Sequence, residues 1–234
     1  MEIDYSHIKV IGFDADDTLW VNETYFRDAE LEFAKLLSAF ETANKIDQEL
    51  FKMEMKNLPV YGYGIKGFVL SMVEMAIELS NNTVSNKTIS KILDIGKDMI
   101  NKDVELLEGV EDILQQLSKK YRLIVATKGD LLDQERKLEK SGLLDYFHHI
   151  EVLSDKKEAN YSKLLNHLDI NPSEFLMIGN SLKSDILPLI NIKAHAIHVP
   201  FHTTWLHEQI EVNHDESKQY KTIKSLLELP KLLN

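Results

Sequence analysis

The sequence predicts an α/β fold, a doubly wound parallel sheet with a helical segment inserted after its first strand. Two observations carry this prediction. Five short apolar runs are spread along the chain, and helical patterns lie between the later ones. Strands that alternate with helices are typical of a parallel sheet covered by helices on both faces. By contrast, residues 22–103 contain helical patterns only, so they do not belong to that alternation.

The apolar runs are interpreted as buried strands because they are short, rich in β-branched residues and followed by polar residues. They cover residues 8–13, 123–126, 150–153, 175–178 and 194–199. Apolar residues at helical spacing predict the helices between them. These helices cover residues 110–119, 131–141, 157–168 and 184–190.

The inserted segment is predicted to hold four helices. The first covers residues 25–40, the second follows Asp47, the third covers residues 65–79, and the fourth follows Ser85, a suitable N-cap. The proline and two glycines of residues 59–64 predict a loop between the second and third. We therefore expect an α/β domain of residues 1–21 and 104–234, and a helical domain of residues 22–103.

Composition excludes several classes of function. The 234 residues include 27 Lys and Arg against 38 Asp and Glu, a net charge of −11, so nucleic acid is not an expected partner. The absence of cysteine excludes disulfides and thiolate chemistry. The N-terminus does not resemble a signal peptide, and the longest apolar runs are too short for a membrane span. We expect a cytoplasmic protein without a membrane partner, either a monomer or a homodimer.

Acidic residues directly follow the first predicted strand. Asp14, Asp16 and Asp17 come there together with Thr18. A single acidic residue in this place is usually a helix cap or faces water. Two carboxylates two residues apart, leaving a buried strand, would repel each other unless a cation lay between them. The pattern therefore indicates a hard metal ion with oxygen ligands.

Polar residues also follow the second and third strands. Thr127 and Lys128 come after the second strand, and the Thr127 hydroxyl can hydrogen-bond a phosphate oxygen. Lys156 and Lys157 come after the third. Taken alone, the first pair fits ordinary turn chemistry and the second a solvated helix start. Since ligands of a doubly wound sheet bind at the carboxyl ends of its strands, their order along the chain is the stronger signal.

The fourth strand ends at Gly179, which permits a close approach of the backbone. Asn180 follows it directly, and Asp185 is placed where a further carboxylate could reach the metal. One candidate position therefore lies at each of four successive strand ends.

Together these positions resemble the haloacid dehalogenase (HAD) superfamily, specifically its phosphatase branch with a helical cap. The resemblance implies a Rossmann-like core and covers residues 8–205. Its four motifs are matched by Asp14-Ala15-Asp16-Asp17-Thr18, by Thr127, by Lys157 ahead of Tyr161, and by Gly179-Asn180 through Asp185. The family commonly has aspartate where this chain has Asn180, and an amide contributes no charge to a metal site.

The resemblance implies the roles of the site residues. Asp14 would be the nucleophile, and Asp16 would protonate the leaving alcohol and later deprotonate the attacking water. Mg²⁺ would be held by Asp14, the backbone carbonyl of Asp16, Asn180 and Asp185. Thr127 and Lys157 would bind the phosphoryl group, and Lys128 is a further substrate-binding candidate. Lys156 is an alternative for the lysine of the third motif, although the spacing to Tyr161 favours Lys157.

The helical segment would then be a cap, with Tyr63 and Lys66 as substrate-binding residues in or beside its loop; a plain helix–helix turn is the alternative. A carboxylate at Asp16 favours phosphate esters, because a halide leaves without a proton. The resemblance thus implies a phosphatase of a small phosphorylated metabolite. The alternatives are a sugar-phosphate phosphomutase and a HAD-like binding module without catalysis.

Overall fold

The computed structural model describes residues 4–211 and 216–233 and confirms the predicted α/β fold. Within the described residues, six strands pair in parallel. The strands are β1 (Val10–Phe13), β2 (Arg122–Lys128), β3 (His149–Leu153), β4 (Phe175–Gly179), β5 (His195–His198) and β6 (Lys221–Thr222). Their order across the sheet is β3-β2-β1-β4-β5-β6.

Strand β1 lies inside the sheet, and this determines where the candidate site forms. Phe13 pairs with Val125 of β2 on one side and with Ile178 of β4 on the other. The residue after Phe13 therefore lies between the carboxyl ends of two neighbouring strands. In a doubly wound sheet this is the crevice in which ligands bind.

The sheet is buried on both faces because its central strands are mainly apolar and buried. Leu123 and Val125 of β2 pack in one apolar cluster, whereas Ile124 and Ala126 pack in another. Alternate residues of a strand point to opposite faces, so helices cover both. Strand β6 was not predicted, because its two residues, Lys221 and Thr222, are exposed and carry no apolar pattern.

Helices supply the rest of the regular structure. They are α1 (Glu23–Leu36), α2 (Ala43–Tyr61), α3 (Ile65–Leu79), α4 (Asn86–Asn101), α5 (Val110–Leu117), α6 (Leu131–Ser141), α7 (Glu158–His167), α8 (Leu187–Asn191) and α9 (Leu229–Leu232). A π-helical turn, Leu182–Ile186, precedes α8. Among the described residues, no helix is both long and apolar enough to cross a membrane.

The chain forms two compact units. The helical unit comprises Thr24–Asp103 and Gly129–Gln134, and the α/β unit comprises the described residues up to Glu23, Val104–Lys128 and those from Glu135 onward. The sequence had placed residues 22 and 23 in the helical domain and residues 129–134 in the α/β domain. Residues 1–3, 212–215 and 234 of the predicted α/β domain lie outside the described part of the chain.

The helical unit has an apolar core of its own, formed by one face of each of its helices. Its fully buried members include Phe33, Leu37, Leu50, Met72 and Ile92. Each helix therefore buries an apolar stripe against its neighbours, as its periodicity predicts.

The predicted loop over residues 59–64 was wrong for its first three residues. Helix α2 continues through Pro59 to Tyr61 and ends where Gly62 has a φ of 72°. Proline in the last turn removes one helical hydrogen bond, and side chains offset that loss. Tyr61 donates a hydrogen bond to Glu74 of α3, and Asn57 donates to Ser71 at 3.2 Å.

Candidate active site

Asp14 is the first residue of the candidate site and directly follows β1. Its backbone N–H donates to the carbonyl of Ile178 at 2.9 Å, so the chain is still held in the sheet at this residue. The Asp14 side chain is buried, and its Oδ2 accepts a hydrogen bond from the Thr18 hydroxyl at 3.1 Å. Asp14 is therefore a fixed carboxylate at the carboxyl edge of the sheet.

The lysine beside Asp14 is Lys156 and not Lys157, which the spacing to Tyr161 had favoured as the lysine of the third motif. The Lys156 ammonium is buried and donates to Asp14 Oδ1 and, at 2.6 Å, to Asp185 Oδ1. The Lys157 side chain is 72% exposed, and its ammonium pairs with Asp155 at 2.7 Å. Spacing to Tyr161 could not separate two adjacent lysines, because the chain is extended at Lys157 and neighbouring side chains of an extended segment point in opposite directions.

Asp185 reaches the site from the π-helical turn after β4. Its Oδ2 accepts the backbone N–H of Ser181 at 3.0 Å, which orients the carboxylate. A methyl group on Gly179 would overlap this carboxylate. The close approach predicted at Gly179 is thus present, and the partner that needs it is Asp185.

Burial and charge act on the two carboxylates together. Burial raises the pKa of Asp14 to about 7; the Lys156 ammonium opposes this shift, and the nearby Asp185 adds to it. Burial alone would lower the pKa of Lys156, but Asp14 and Asp185 raise it well above its usual range. Lys156 is therefore a permanent cation that lies between Asp14 and Asp185.

Asp16 is held by two donors from different parts of the α/β unit. Its Oδ1 accepts from Trp20 Nε1 at 2.7 Å and from Lys137 Nζ at 2.9 Å. Lys137 also donates to the side-chain oxygen of Asn22 at 2.8 Å. Sequence reasoning missed Lys137, because a single lysine within a helix carries no signal and its partner is 121 residues away.

Asp17 differs from the other two acidic residues of the first motif. Its buried carboxylate accepts the backbone N–H groups of Asn22 and Glu23, at 2.8 Å and 3.0 Å. Glu23 is the first residue of α1, so Asp17 satisfies N–H groups that the start of a helix leaves unpaired. Burial raises the pKa of Asp17 to about 7.

Thr127 and Lys128 end β2. The Thr127 hydroxyl is buried and donates to the carbonyl of Lys128 at 3.2 Å. The Lys128 ammonium donates to Glu208 Oε1 at 2.6 Å and to the Ser184 hydroxyl at 2.9 Å. Lys128 was predicted to bind substrate, but here its charge is engaged by a carboxylate of the same unit.

Glu208 is a second residue that sequence reasoning missed. Its Oε2 accepts from the hydroxyls of Ser181 and Ser184, each at 2.5 Å, in addition to the ion pair with Lys128. Burial opposes ionisation, but Lys128 and the two hydroxyls lower the pKa of Glu208 to about 2. The glutamate thus fastens the segment after β5 to the turn that carries Asp185.

Asn180 follows β4 and is half-buried. Its backbone carbonyl accepts a hydrogen bond from His198 Nε2 at 3.0 Å. Burial lowers the pKa of His198, although this bond acts in the opposite direction. The histidine of β5 therefore fixes the backbone at the end of β4.

Tyr63 and Lys66 belong to the helical unit. Tyr63 lies between α2 and α3, and Lys66 lies in the first turn of α3. The Lys66 ammonium pairs with Asp130 of the same unit at 2.8 Å. Their proposed contact with substrate stays a prediction.

The donors at the sheet edge fit a small hard cation. Asp14 and Asp185 supply two carboxylates joined by one ammonium, and Mg²⁺ is commonly bound by one or two carboxylates while keeping several waters. Within the described ranges, no group of three or more histidine, aspartate or glutamate side chains is arranged to hold a metal ion. Two protein carboxylates suit an open magnesium site in which waters complete the coordination.

Comparisons with known proteins agree with this arrangement. A family model for haloacid dehalogenase-like hydrolases matches residues 8–193. The solved structure of a haloacid dehalogenase-like family hydrolase from Xanthomonas campestris is 35% identical, with a TM-score of 0.86; the match covers 99% of this chain and 92% of that one.

Two further matches are to named enzymes. An N-acylneuraminate-9-phosphatase from Homo sapiens is 27% identical over 240 residues, covering 97% of this chain and 94% of that protein. A 2-haloacid dehalogenase from Pseudomonas syringae is 20% identical, with a TM-score of 0.63, covering 97% of this chain and 98% of that one. At 20% identity, the likeness to the dehalogenase shows the fold alone.

Proposed function

Because this chain belongs to the haloacid dehalogenase-like hydrolases, and among them is a phosphoric monoester hydrolase, we propose that it cleaves the phosphate ester of a small metabolite through an aspartyl-phosphate on Asp14. Asp16 is the general acid and base, and Mg²⁺ is the cofactor. One observation carries the proposal: buried Lys156 joins Asp14 to Asp185, and Asp16 stands two residues after Asp14.

The first half of the reaction transfers the phosphoryl group to the enzyme. An oxygen of Asp14 forms a bond to phosphorus while the bond from phosphorus to the ester oxygen breaks. The electron pair goes to that ester oxygen, and Asp16 supplies the proton that makes it an alcohol. Lys156 supports this step because its charge favours the ionised form of Asp14 and stabilises negative charge that develops beside it.

The second half restores Asp14. A water oxygen bonds to phosphorus, the bond to Asp14 breaks, and inorganic phosphate forms. Asp16, ionised after the first step, accepts the proton of the water. A single carboxylate serves both halves because each step leaves it in the state that the next one needs.

Asp14, Asp185, Asn180 and the backbone carbonyl of Asp16 would hold Mg²⁺. When bound, this ion neutralises charge on the phosphoryl oxygens. Thr127 is proposed to bind the same oxygens from β2. The lysine proposed for this contact is Lys156 instead of Lys157, because Lys156 is the one at Asp14.

Asp16 favours phosphate esters over halides as substrates. A carboxylate held in place two residues after the nucleophile is useful when the leaving group needs a proton, and a halide leaves as a stable anion. As to the metabolite, the N-acylneuraminate-9-phosphatases suggest a phosphorylated sugar acid as the first compound to try.

The test is phosphate release from a panel of phosphorylated sugars, sugar acids and other small metabolites, with and without Mg²⁺. Wild-type protein should release phosphate only with the metal, and Asp14→Asn should release none. Asp145→Asn, the same change at an exposed residue of the α/β unit, is the matched control. With para-nitrophenyl phosphate, whose leaving group needs no proton, Asp16→Asn should accumulate a phosphorylated protein, with the phosphate on Asp14 by peptide mass spectrometry.

Two results would contradict the proposal. Turnover that persists in Asp14→Asn would exclude the aspartyl-phosphate. Isomerisation of a sugar phosphate without net phosphate release, dependent on a bisphosphate, would identify a mutase instead.

A further inference from the structure

Lys137 of α6 is tied to Asp16 more closely than a helix-surface lysine would be. Its ammonium lies between Asp16 Oδ1, at 2.9 Å, and Asn22 Oδ1, at 2.8 Å. The Lys137 side chain is 17% exposed and that of Asp16 is 23% exposed. A lysine on a helix surface ordinarily extends its charge into water, so this placement needs a reason.

Trp20 completes the arrangement around Asp16. Its indole N–H donates to the same Oδ1 at 2.7 Å, so a neutral and a charged donor meet on one oxygen. A charge-assisted hydrogen bond is shorter and stronger than a neutral one, and two donors in fixed directions select one rotamer of a short side chain. Asn22 holds the ammonium from its other side, which keeps Lys137 from turning away.

We propose that Lys137 is a positioning residue that holds the Asp16 carboxyl group for proton transfer to the leaving oxygen. The proposal rests on the function given above, in which Asp16 is the acid. Lys137 itself touches neither the phosphorus nor the ester oxygen in this scheme. Its effect is to fix the direction of Asp16, and a misplaced acid transfers its proton poorly.

A positioning role has a distinctive signature in the leaving group. When the phosphorus–oxygen bond breaks, an alkoxide needs the proton of Asp16, whereas para-nitrophenolate departs as a stabilised anion. Disturbing Asp16 should therefore slow alkyl esters far more than para-nitrophenyl phosphate. The ratio kcat/KM includes only the steps up to departure of the alcohol, so later hydrolysis of the aspartyl-phosphate does not obscure the comparison.

The experiment compares kcat/KM for para-nitrobenzyl phosphate and para-nitrophenyl phosphate, which have similar shapes but leaving groups of different basicity. In Lys137→Met the value for the benzyl ester should fall about 10- to 100-fold, within the contribution typical of general acid catalysis. The loss for the phenyl ester should be at least about ten times smaller. Lys137→Arg keeps a cationic donor and should recover part of the benzyl-specific loss.

Two further variants distinguish a failure of the role proposed for Lys137 from a failure of the role proposed for Asp16. Lys140→Met, an exposed lysine on the same helix, should leave both values near wild type. Asp16→Asn should show the same selective loss as Lys137→Met. Equal losses for both esters in Asp16→Asn would refute the acid role of Asp16, and with it this proposal. A selective loss in Asp16→Asn with equal losses in Lys137→Met would refute the role of Lys137 alone.

A change in KM alone, equal for both esters, would also overturn the proposal, because it would make Lys137 a substrate ligand. Thermal unfolding of each variant supplies the check on folding. If Lys137→Met is unfolded, Lys137→Arg decides: equal losses for both esters in that folded variant would count against positioning.

Discussion

At the residue scale, the buried ammonium of Lys156 keeps two mutually repelling carboxylates together. Lys156→Met should abolish turnover and lower the free energy of unfolding by about 3 to 5 kcal/mol, the usual cost of leaving one side of a buried ion pair without its partner. Phosphate release and urea denaturation measure the two effects.

Lys157→Met is the matched control for that prediction. Its side chain is exposed and its ion pair with Asp155 lies at the surface, where such pairs contribute little. We expect near wild-type stability and activity. If Lys157→Met were as inactive as Lys156→Met, the result would support Lys157 as the active-site lysine.

Glu208 makes a second prediction at this scale. Glu208→Gln removes the carboxylate that balances the Lys128 ammonium, and the side chains of the pair are only 12% and 14% exposed. We expect a loss of about 3 kcal/mol in the free energy of unfolding, the lower end for a buried pair. Glu49→Gln, in α2, loses two ion pairs with the exposed Lys45 and Lys52 and should change stability little. Similar losses in both variants would contradict the prediction.

The same glutamate gives stability a dependence on pH. Its pKa is lowered from an ordinary 4.5 to about 2 in the folded protein. The unfolded chain therefore takes up a proton first as pH falls, so the contribution is complete above pH 4.5 and is lost towards pH 2. Urea denaturation from about pH 5 to about pH 3 should show a shallower decline for Glu208→Gln than for wild type. Parallel curves would assign the decline to other groups.

The position of a site residue could be predicted where the residues next to it in the sequence identify a strand end. Asp14 and Asp16 follow an apolar run, and Gly179 ends another, so the sequence placed them at strand ends. Lys137 and Glu208 were not predictable, because their contacts join segments 121 and 80 residues apart. The choice between Lys156 and Lys157 failed for a similar reason, since it depends on the side to which an extended segment turns each side chain.

At the element scale, α4 is stabilised by its N-cap. The Ser85 hydroxyl accepts the backbone N–H of Thr88 at 3.1 Å, so Ser85→Ala should lower the free energy of unfolding by about 1 kcal/mol. Thr42, the N-cap residue of α2, makes no side-chain capping bond. Thr42→Ala is therefore the control and should cost less. Urea denaturation followed by circular dichroism compares them, and equal costs would contradict the capping argument.

A strand or helix could be predicted when its buried positions give its sequence an apolar pattern. Strands β1, β2 and β4 are buried over most or all of their length, and apolar runs also identified the less buried β3 and β5. Strand β6 is exposed, and its two residues resemble any polar loop. Pro59 misled the reading of α2 because tertiary bonds from Asn57 and Tyr61 to α3 outweigh a local helix breaker, and such bonds are invisible in sequence.

At the scale of the whole molecule, an acidic chain with a net charge of −11 concentrates cationic groups at the carboxyl edge of its sheet. Lys128, Lys137 and Lys156 each pair there with a carboxylate of the α/β unit. The general surface repels anions, so a phosphate ester depends on local compensation. A divalent cation at this edge would supply such compensation and favour binding of the phosphate ester.

Mg²⁺ should raise the midpoint of thermal unfolding, because an ion that binds the folded protein alone stabilises it by about 2.7 kcal/mol at a hundred times its Kd. Asp185→Asn removes one proposed ligand and should abolish most of the shift. Asp169→Asn, at an exposed residue whose positive φ suits asparagine, should retain it. This measurement needs no substrate, so it separates metal binding from turnover. An equal shift in Asp185→Asn and wild type would place the ion elsewhere, since the carboxylate that Gly179 admits so closely would then have no part in holding it.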